Sequence, residues 1–134
     1  MQSETILVVD DDPVALAFCC TVLTREGYGV LRAQSGQQAL EICQSAERID
    51  MALVDVVMPE MSGIELVKQL EKLEKSPRIA LISGYTPEEV ARLTGEDGSN
   101  YRIFWKPFDI RIFLQMIRNV LDAPQRETAF SAGS

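Results

Sequence analysis

Five polar side chains stand directly after apolar runs of the sequence, where they could carry chemistry. Asp10 and Asp11 follow the first run, and Asp55 follows a run in the middle of the chain. Ser83 and Lys106 follow two later runs. Three carboxylates held near one point repel one another and need a cation, and oxygen ligands select a hard ion such as Mg²⁺. The residue types therefore predict a magnesium site.

The same residue types suit phosphoryl transfer. This reaction is catalysed mainly by positioning and by neutralising charge on the phosphoryl oxygens, a task for a metal, a cation and a hydroxyl. Mg²⁺, Lys106 and Ser83 would supply these groups, and Asp55 is the candidate nucleophile for an aspartyl phosphate. The chain contains no histidine. It therefore has neither a Ser-His-Asp triad nor a phosphohistidine of its own.

The elements that must position these residues alternate between strand-like apolar runs and amphipathic helical patterns. Such alternation predicts an α/β fold, with one doubly wound parallel sheet of five strands covered by helices on both faces. The predicted strands cover 5–9, 29–33, 51–54, 78–82 and 103–105, and the predicted helices cover 13–26, 36 to about 44, 64–73, 87–93 and 110–121. Asp12 and Asp109 are predicted to be helix N-caps. Functional groups gather at the carboxyl ends of parallel strands, so the five polar residues should meet at one edge.

Length and composition favour one domain, predicted at 4–122, with 123–134 as a flexible tail or the start of a linker. The net charge of −7, from 20 acidic and 13 basic residues, argues against direct nucleic-acid binding. No apolar run is long enough to span a bilayer, and no signal-peptide pattern is present, so the expected location is cytoplasmic without a membrane partner. Cys19, Cys20 and Cys43 fall in apolar helical patterns and are expected to be core residues.

Four motifs in order along the chain resemble the signatures of response-regulator receiver domains. They are VVDDDP at 8–13, DVVMPEMSG at 55–63, ISG at 82–84 and KPF at 106–108. The resemblance covers roughly residues 4–121. It implies a flavodoxin-like fold of the chemotaxis-regulator kind with strand order 2-1-3-4-5, and a cis bond between Lys106 and Pro107.

The resemblance also implies roles in a two-component phosphorelay. Asp10, Asp11 and Asp55 would hold Mg²⁺ together with the backbone carbonyl of Val57. Asp55 would accept a phosphoryl group from the phosphohistidine of a histidine kinase or phosphotransfer protein. Such a protein is not an enzyme in the usual sense, because it catalyses only its own phosphorylation and dephosphorylation.

The resemblance further implies a conformational switch. Ser83 and Lys106 would contact the phosphoryl oxygens, and an aromatic side chain on strand five would rotate, changing the surface of helix four, strand five and helix five. The family's aromatic position, three residues before the lysine, holds Ile103 here. Trp105 shares a sheet face with Ile103 by period-two alternation, so our hypothesis is that Trp105 or Tyr101 takes over part of this role. The alternative is that Trp105 is a packed surface aromatic.

Helix five carries a second apolar ridge. Ile112, Met116 and Val120 follow one another at four-residue spacing beside the core stripe. A helix that is apolar on two sides often has two partners, so a homodimer or the docking of a kinase or output domain through this face is one reading. Tight packing within the domain is the other.

Two further functions compete with the receiver. DDDPV at 10–14 fits the DxDxV motif of a haloacid-dehalogenase-like phosphatase with Asp10 as nucleophile, and LISG at 81–84 resembles its second motif. Such enzymes need a later acidic pair, whereas Asp109 and Asp122 are isolated. A pseudo-receiver acting as an interaction module is the third reading, although no phosphorylation residue is missing. The sequence leaves open whether the chain is a stand-alone regulator or part of a larger regulator or hybrid kinase.

Overall fold

A computed structural model of the chain describes residues 3–45, 48–96, 99–106 and 109–124. In these ranges five strands and five helices alternate. The strands are Thr5–Val9 (β1), Gly29–Ala33 (β2), Met51–Asp55 (β3), Arg78–Ser83 (β4) and Ile103–Trp105 (β5). The helices are Pro13–Glu26 (α1), Gly36–Ser45 (α2), Gly63–Leu70 (α3), Pro87–Thr94 (α4) and Ile110–Asp122 (α5). All paired strands are parallel, in the order β2-β1-β3-β4-β5, which confirms the predicted fold class and strand order.

Helices cover both faces of the central strands β1, β3 and β4, whose successive residues point to opposite sides, whereas the edge strand β2 is largely exposed. Ile6 and Val8 of β1 pack into a cluster with α1 and α5, whereas Leu7 and Val9 pack into a second cluster with α2, α3 and α4. Phe113 of α5 meets β5 on the first face. Because the paired strands are parallel, their carboxyl ends lie along one edge of the sheet.

Short polar side chains begin the helices at this edge. The Asp12 carboxylate accepts a hydrogen bond of 3.0 Å from the amide of Val14 at the start of α1. The Asp109 carboxylate accepts one of 2.8 Å from the amide of Ile112 at the start of α5. Each bond satisfies an amide that has no partner within its helix. Both predicted N-caps are confirmed.

The prediction that α3 reaches residue 73 is wrong, because the helix ends at Leu70. The amides of Lys72 and Leu73 bond to the carbonyls of Gln69 and Leu70, three residues back, at 3.2 and 3.1 Å. Leu73 still packs against the second core cluster. The apolar stripe therefore continues through tight turns, since burial does not require α-helical hydrogen bonding.

The apolar ridge of α5 is only partly exposed. Ile112 is 53% exposed, but Val120 is buried in the first core cluster and Met116 packs against it. Tight packing thus accounts for Val120, and the predicted docking ridge shortens to the start of the helix.

Some predictions concern residues outside the described ranges. Pro107 and Phe108, with the cis bond expected before Pro107, lie there, and so does 125–134 of the predicted tail. Among the helices that are described, none has the length and apolar character needed to cross a bilayer.

Candidate functional site

The three predicted carboxylates meet at the carboxyl edge of the sheet. Asp10 follows β1 and is 5% exposed, Asp11 is exposed, and Asp55 ends β3 at an intermediate depth. One carboxylate oxygen from each lies within 4.8 Å of one from both others. Because β1 and β3 are neighbouring parallel strands, their ends bring side chains together that are 45 residues apart.

Hydrogen bonds at the end of β1 fix Asp10. Its amide donates to the carbonyl of Ala33 at 3.1 Å, which extends the pairing with β2 by one bond. Its carboxylate accepts a hydrogen bond of 2.9 Å from the amide of Asp12. The side chain that caps α1 is therefore adjacent to the side chain that is held in the site.

Burial and mutual repulsion make the site costly to ionise without a cation. Removal from water raises the pKa of Asp55 to about 8, and the negative charges of Asp10 and Asp11 add to the effect, while Lys106 opposes it. Burial also raises the pKa of Asp10. A buried carboxyl prefers its neutral form unless a positive charge compensates it.

Ser83 lies at the same edge, at the end of β4. Ser83 is 1% exposed, and it pairs with Trp105 in the parallel register of β4 and β5. The hydroxyl accepts a hydrogen bond of 3.0 Å from the amide of Tyr85 and donates one of 3.3 Å to the carbonyl of the same residue. The Ser83 hydroxyl is therefore engaged by the backbone just before α4.

Lys106 follows β5 and completes the set. Its amide donates to the carbonyl of Ser83 at 2.8 Å, which continues the β4–β5 pairing past the strand end. Its side chain is exposed, and its charge acts on both Asp10 and Asp55. A methyl group on Gly84 would lie 3.7 Å from the Lys106 Cδ, so the lysine stem passes close to this glycine.

The loop from β3 to α3, residues 56–62, folds back against the site. The amide of Val56 donates to the carbonyl of Ile82 at 3.1 Å, and the amide of Gly63 donates to the carbonyl of Val56 at 2.7 Å. A methyl group on Gly63 would overlap the carbonyl oxygen of Asp55, so this position requires glycine. Val57, whose carbonyl is a predicted metal ligand, lies between these anchors and is half-buried.

One residue of this loop has an unusual backbone. Glu60 adopts φ of 69°, in the left-handed region that costs an L-residue about 1–2 kcal/mol. It is exposed. Such a conformation persists only where the surrounding structure fixes it.

The switch candidates on β5 differ in burial. Ile103, at the family's aromatic position, is half-buried against the second core cluster, and Tyr101 packs against the same cluster. Trp105 is 37% exposed. Period-two alternation correctly separated both Ile103 and Trp105 from the buried Phe104. A switching role for Trp105 stays a prediction.

Sequence reasoning missed the contact between Ser83 and the backbone of Tyr85. A serine hydroxyl often accepts a hydrogen bond from the backbone amide two residues later and so forms a turn, and the ISGYT stretch offered this signal. The expected role of Ser83 required its hydroxyl to donate to a phosphoryl oxygen. The structure instead gives it two local partners.

The donor set fits a hard divalent cation. Three carboxylates lie close together, one exposed and two more buried, and burial raises the pKa of both Asp10 and Asp55. Oxygen donors of this kind, with an open exposed side, suit Mg²⁺, which keeps several water ligands.

Comparison with known proteins gives consistent matches. The family described as the response regulator receiver domain matches residues 6–118. Sporulation initiation phosphotransferase F of Bacillus subtilis is 34% identical over 110 residues, which cover 82% of this chain and 87% of that protein. Other curated relatives are longer: the chain spans 13% of the sensor kinase CckA of Brucella abortus, at 31% identity over 121 residues that cover 90% of this chain.

Solved structures agree with the sequence matches. A CheY-like receiver domain from Methanospirillum hungatei superposes with a TM-score of 0.76 at 30% identity, covering 90% of this chain and 95% of that one. The response regulator TrrA from Thermotoga maritima, crystallised in complex with Mg²⁺ and BeF, gives a TM-score of 0.74 at 25% identity, covering 87% and 98%.

Proposed function

This chain belongs to the response-regulator receiver family of two-component systems, and we propose that it accepts a phosphoryl group on Asp55 in a Mg²⁺-dependent reaction. The observation that carries the proposal is the meeting of Asp55 with Asp10 and Asp11 at one edge of the sheet, their oxygens within 4.8 Å. Asp55 ends β3, Ser83 ends the neighbouring strand β4, and the charge of Lys106, which follows β5, acts on Asp55.

Asp10, Asp11 and Asp55 would hold the cation, with the carbonyl of Val57 as a backbone ligand. The TrrA structure, which contains Mg²⁺ and BeF, supports this assignment by similarity. When bound, Mg²⁺ would supply the positive charge that favours ionised carboxylates and that neutralises a transferring phosphoryl group.

Asp55 is better placed than Asp10 to act as the nucleophile. Asp10 is 5% exposed, and its carboxylate already accepts the amide of Asp12, whereas Asp55 is more exposed at the end of β3. One Asp55 oxygen would attack the phosphorus of a donor phosphohistidine, forming the O–P bond as the P–N bond breaks. The histidine nitrogen leaves with the electron pair and then takes up a proton.

Lys106 and Ser83 would bind the phosphoryl oxygens. Lys106 already acts electrostatically on Asp55 and is exposed at the mouth of the site. For Ser83 to donate to a phosphoryl oxygen, its hydroxyl must release the carbonyl of Tyr85, 3.3 Å away. Phosphorylation would thus alter the turn that leads into α4, and with it the α4, β5 and α5 surface.

The partners would be a histidine kinase or phosphotransfer protein, and an output domain or second copy at the α4, β5 and α5 surface. Receiver domains generally act as phosphoacceptors, and we propose that this chain likewise catalyses only its own phosphorylation and dephosphorylation. The domain would cover 4–122, with 123–134 as a tail or linker. A cytoplasmic location stays a prediction.

Steady-state phosphate release from acetyl phosphate tests this function against the phosphatase alternative. A receiver should form one phosphoryl adduct per chain and then release phosphate slowly, and Lys106→Ala should slow adduct formation. The exposed cap variant Asp12→Asn serves as the control and should match wild type. Rapid turnover that survives Asp55→Asn would instead support a phosphatase acting through Asp10.

A further inference from the structure

The thioether of Met61 lies against the first turn of α2, far from Met61 in sequence. A methyl group on Gly36 would lie 2.7 Å from the Met61 Sδ and 3.4 Å from its Cβ and Cγ. A side chain at position 36 would require the end of the methionine side chain to move. Met61 also packs against the core cluster between the sheet and α2, α3 and α4.

A second contact holds the same sulfur from α3. The side-chain amide of Gln69 donates to the Met61 Sδ at 3.9 Å, a weak hydrogen bond to a weak acceptor. Met61 therefore joins the loop of residues 56–62 to two helices. Backbone hydrogen bonds fasten the loop near its ends, where Val56 pairs with Ile82 and with Gly63, and the side chains of Val57 and Met58 pack against the second core cluster between these ends.

The strained residue of the loop stands directly before this contact. Glu60 has φ of 69° and is exposed, so its own side chain is not what holds the conformation. The amide of Met61 donates to the carbonyl of Pro59 at 2.7 Å, closing a tight turn around Glu60. Strain of this kind relaxes when its anchor is removed. Loss of the Met61 side chain would thus let the turn change its path.

We propose that Met61 is a positioning residue for the cation site: its contact with Gly36 fixes the loop that presents the Val57 carbonyl. The inference rests on the proposed function, because it gives the Val57 carbonyl a role as a metal ligand. Val57 lies four residues before Met61, between the Val56 anchor and the strained turn. Outer groups that orient metal ligands typically change metal affinity by about 10–100-fold when they are removed.

The test compares Mg²⁺ affinity, by calorimetric titration, with unfolding free energy in EDTA. We expect Met61→Ala to weaken Mg²⁺ binding by about tenfold. Met61→Leu keeps the volume and should stay within about threefold of wild type. The matched control is Met116→Ala on α5, a partly buried methionine of the other core cluster, which should lose stability but keep Mg²⁺ affinity within about twofold.

A second variant guards against poor folding of Met61→Ala. Gly36→Ala keeps the methionine and displaces only the flexible end of its side chain, so it should weaken Mg²⁺ binding in the same direction but less than Met61→Ala does. Mg²⁺ affinity of Met61→Ala equal to that of Met116→Ala, or of Met61→Leu as weak as that of Met61→Ala, would overturn the inference. If wild type binds no Mg²⁺, or Asp11→Asn binds it equally well, the proposed function fails and the inference fails with it.

Discussion

Replacing Asp55 with asparagine should stabilise the cation-free protein at neutral pH. Burial and the charges of Asp10 and Asp11 raise the pKa of Asp55 from 3.8 to about 8. Between these values the folded state binds more protons than the unfolded state does. Raising the pH through this window therefore removes stability from wild type, whereas an asparagine has no proton to lose.

The size of the effect follows from the width of the window. One proton difference changes the unfolding free energy by about 1.4 kcal/mol per pH unit. From about pH 4 to about pH 7.5 the upper bound is about 4 to 5 kcal/mol. Relaxation around a partly exposed carboxyl reduces it, so we expect Asp55→Asn to gain about 1–3 kcal/mol over wild type at the upper end. Near pH 4 the two proteins should be nearly equal.

Urea unfolding in EDTA, followed by circular dichroism across this pH range, measures the difference. Asp12→Asn removes a charge from the exposed N-cap next to the site but leaves Asp55 in place, so it is the control and should not reproduce the gain of Asp55→Asn at the upper end. Adding Mg²⁺ should stabilise wild type more than Asp55→Asn, because a ligand of the folded state adds stability by mass action. Parallel pH curves for wild type and Asp55→Asn would refute the electrostatic reasoning.

Three further changes test other parts of the structure. Gly63→Ala should cost more than about 2 kcal/mol of unfolding free energy, since its methyl group would overlap the Asp55 carbonyl; urea unfolding measures the loss. Glu4→Gln removes the 2.6 Å ion pair with the half-buried Arg118 and should cost about 1 kcal/mol at low salt. Arg118 lowers the pKa of Glu4, so the stability difference between wild type and Glu4→Gln should shrink as the pH falls below the ordinary value of 4.5. A stability difference that does not change with pH would argue against the ion pair. Beryllofluoride with Mg²⁺ should change the fluorescence of Trp105 if this residue shares the switch role, and unchanged emission would favour a packed surface aromatic.

The fold was predictable because its signals are periodic. Unbroken apolar runs predicted strands buried on both faces, and short polar caps such as Asp12 and Asp109 predicted where helices begin. The end of α3 was not predictable in the same way. Leu73 continues the apolar stripe although the helix ends at Leu70. An apolar stripe indicates which residues are buried, and it does not indicate where the helical hydrogen bonds end.

The sequence was sufficient to predict which residues of the site lie close together. Parallel strands place their carboxyl ends together, so Asp10, Asp11 and Asp55 could be grouped from sequence. The partners of individual atoms were not predictable. The contact of Met61 with Gly36 joins elements 25 residues apart and follows no period, so only coordinates show it.

Intact mass after incubation with acetyl phosphate tests the central claim most directly. We expect a labile gain of one phosphoryl group in wild type and in the cap variant Asp12→Asn, provided that Mg²⁺ is present. EDTA or Asp55→Asn should abolish the gain. A gain that persists without Mg²⁺ or in Asp55→Asn, or no gain in wild type, would contradict the assignment of Asp55 as the phosphoacceptor.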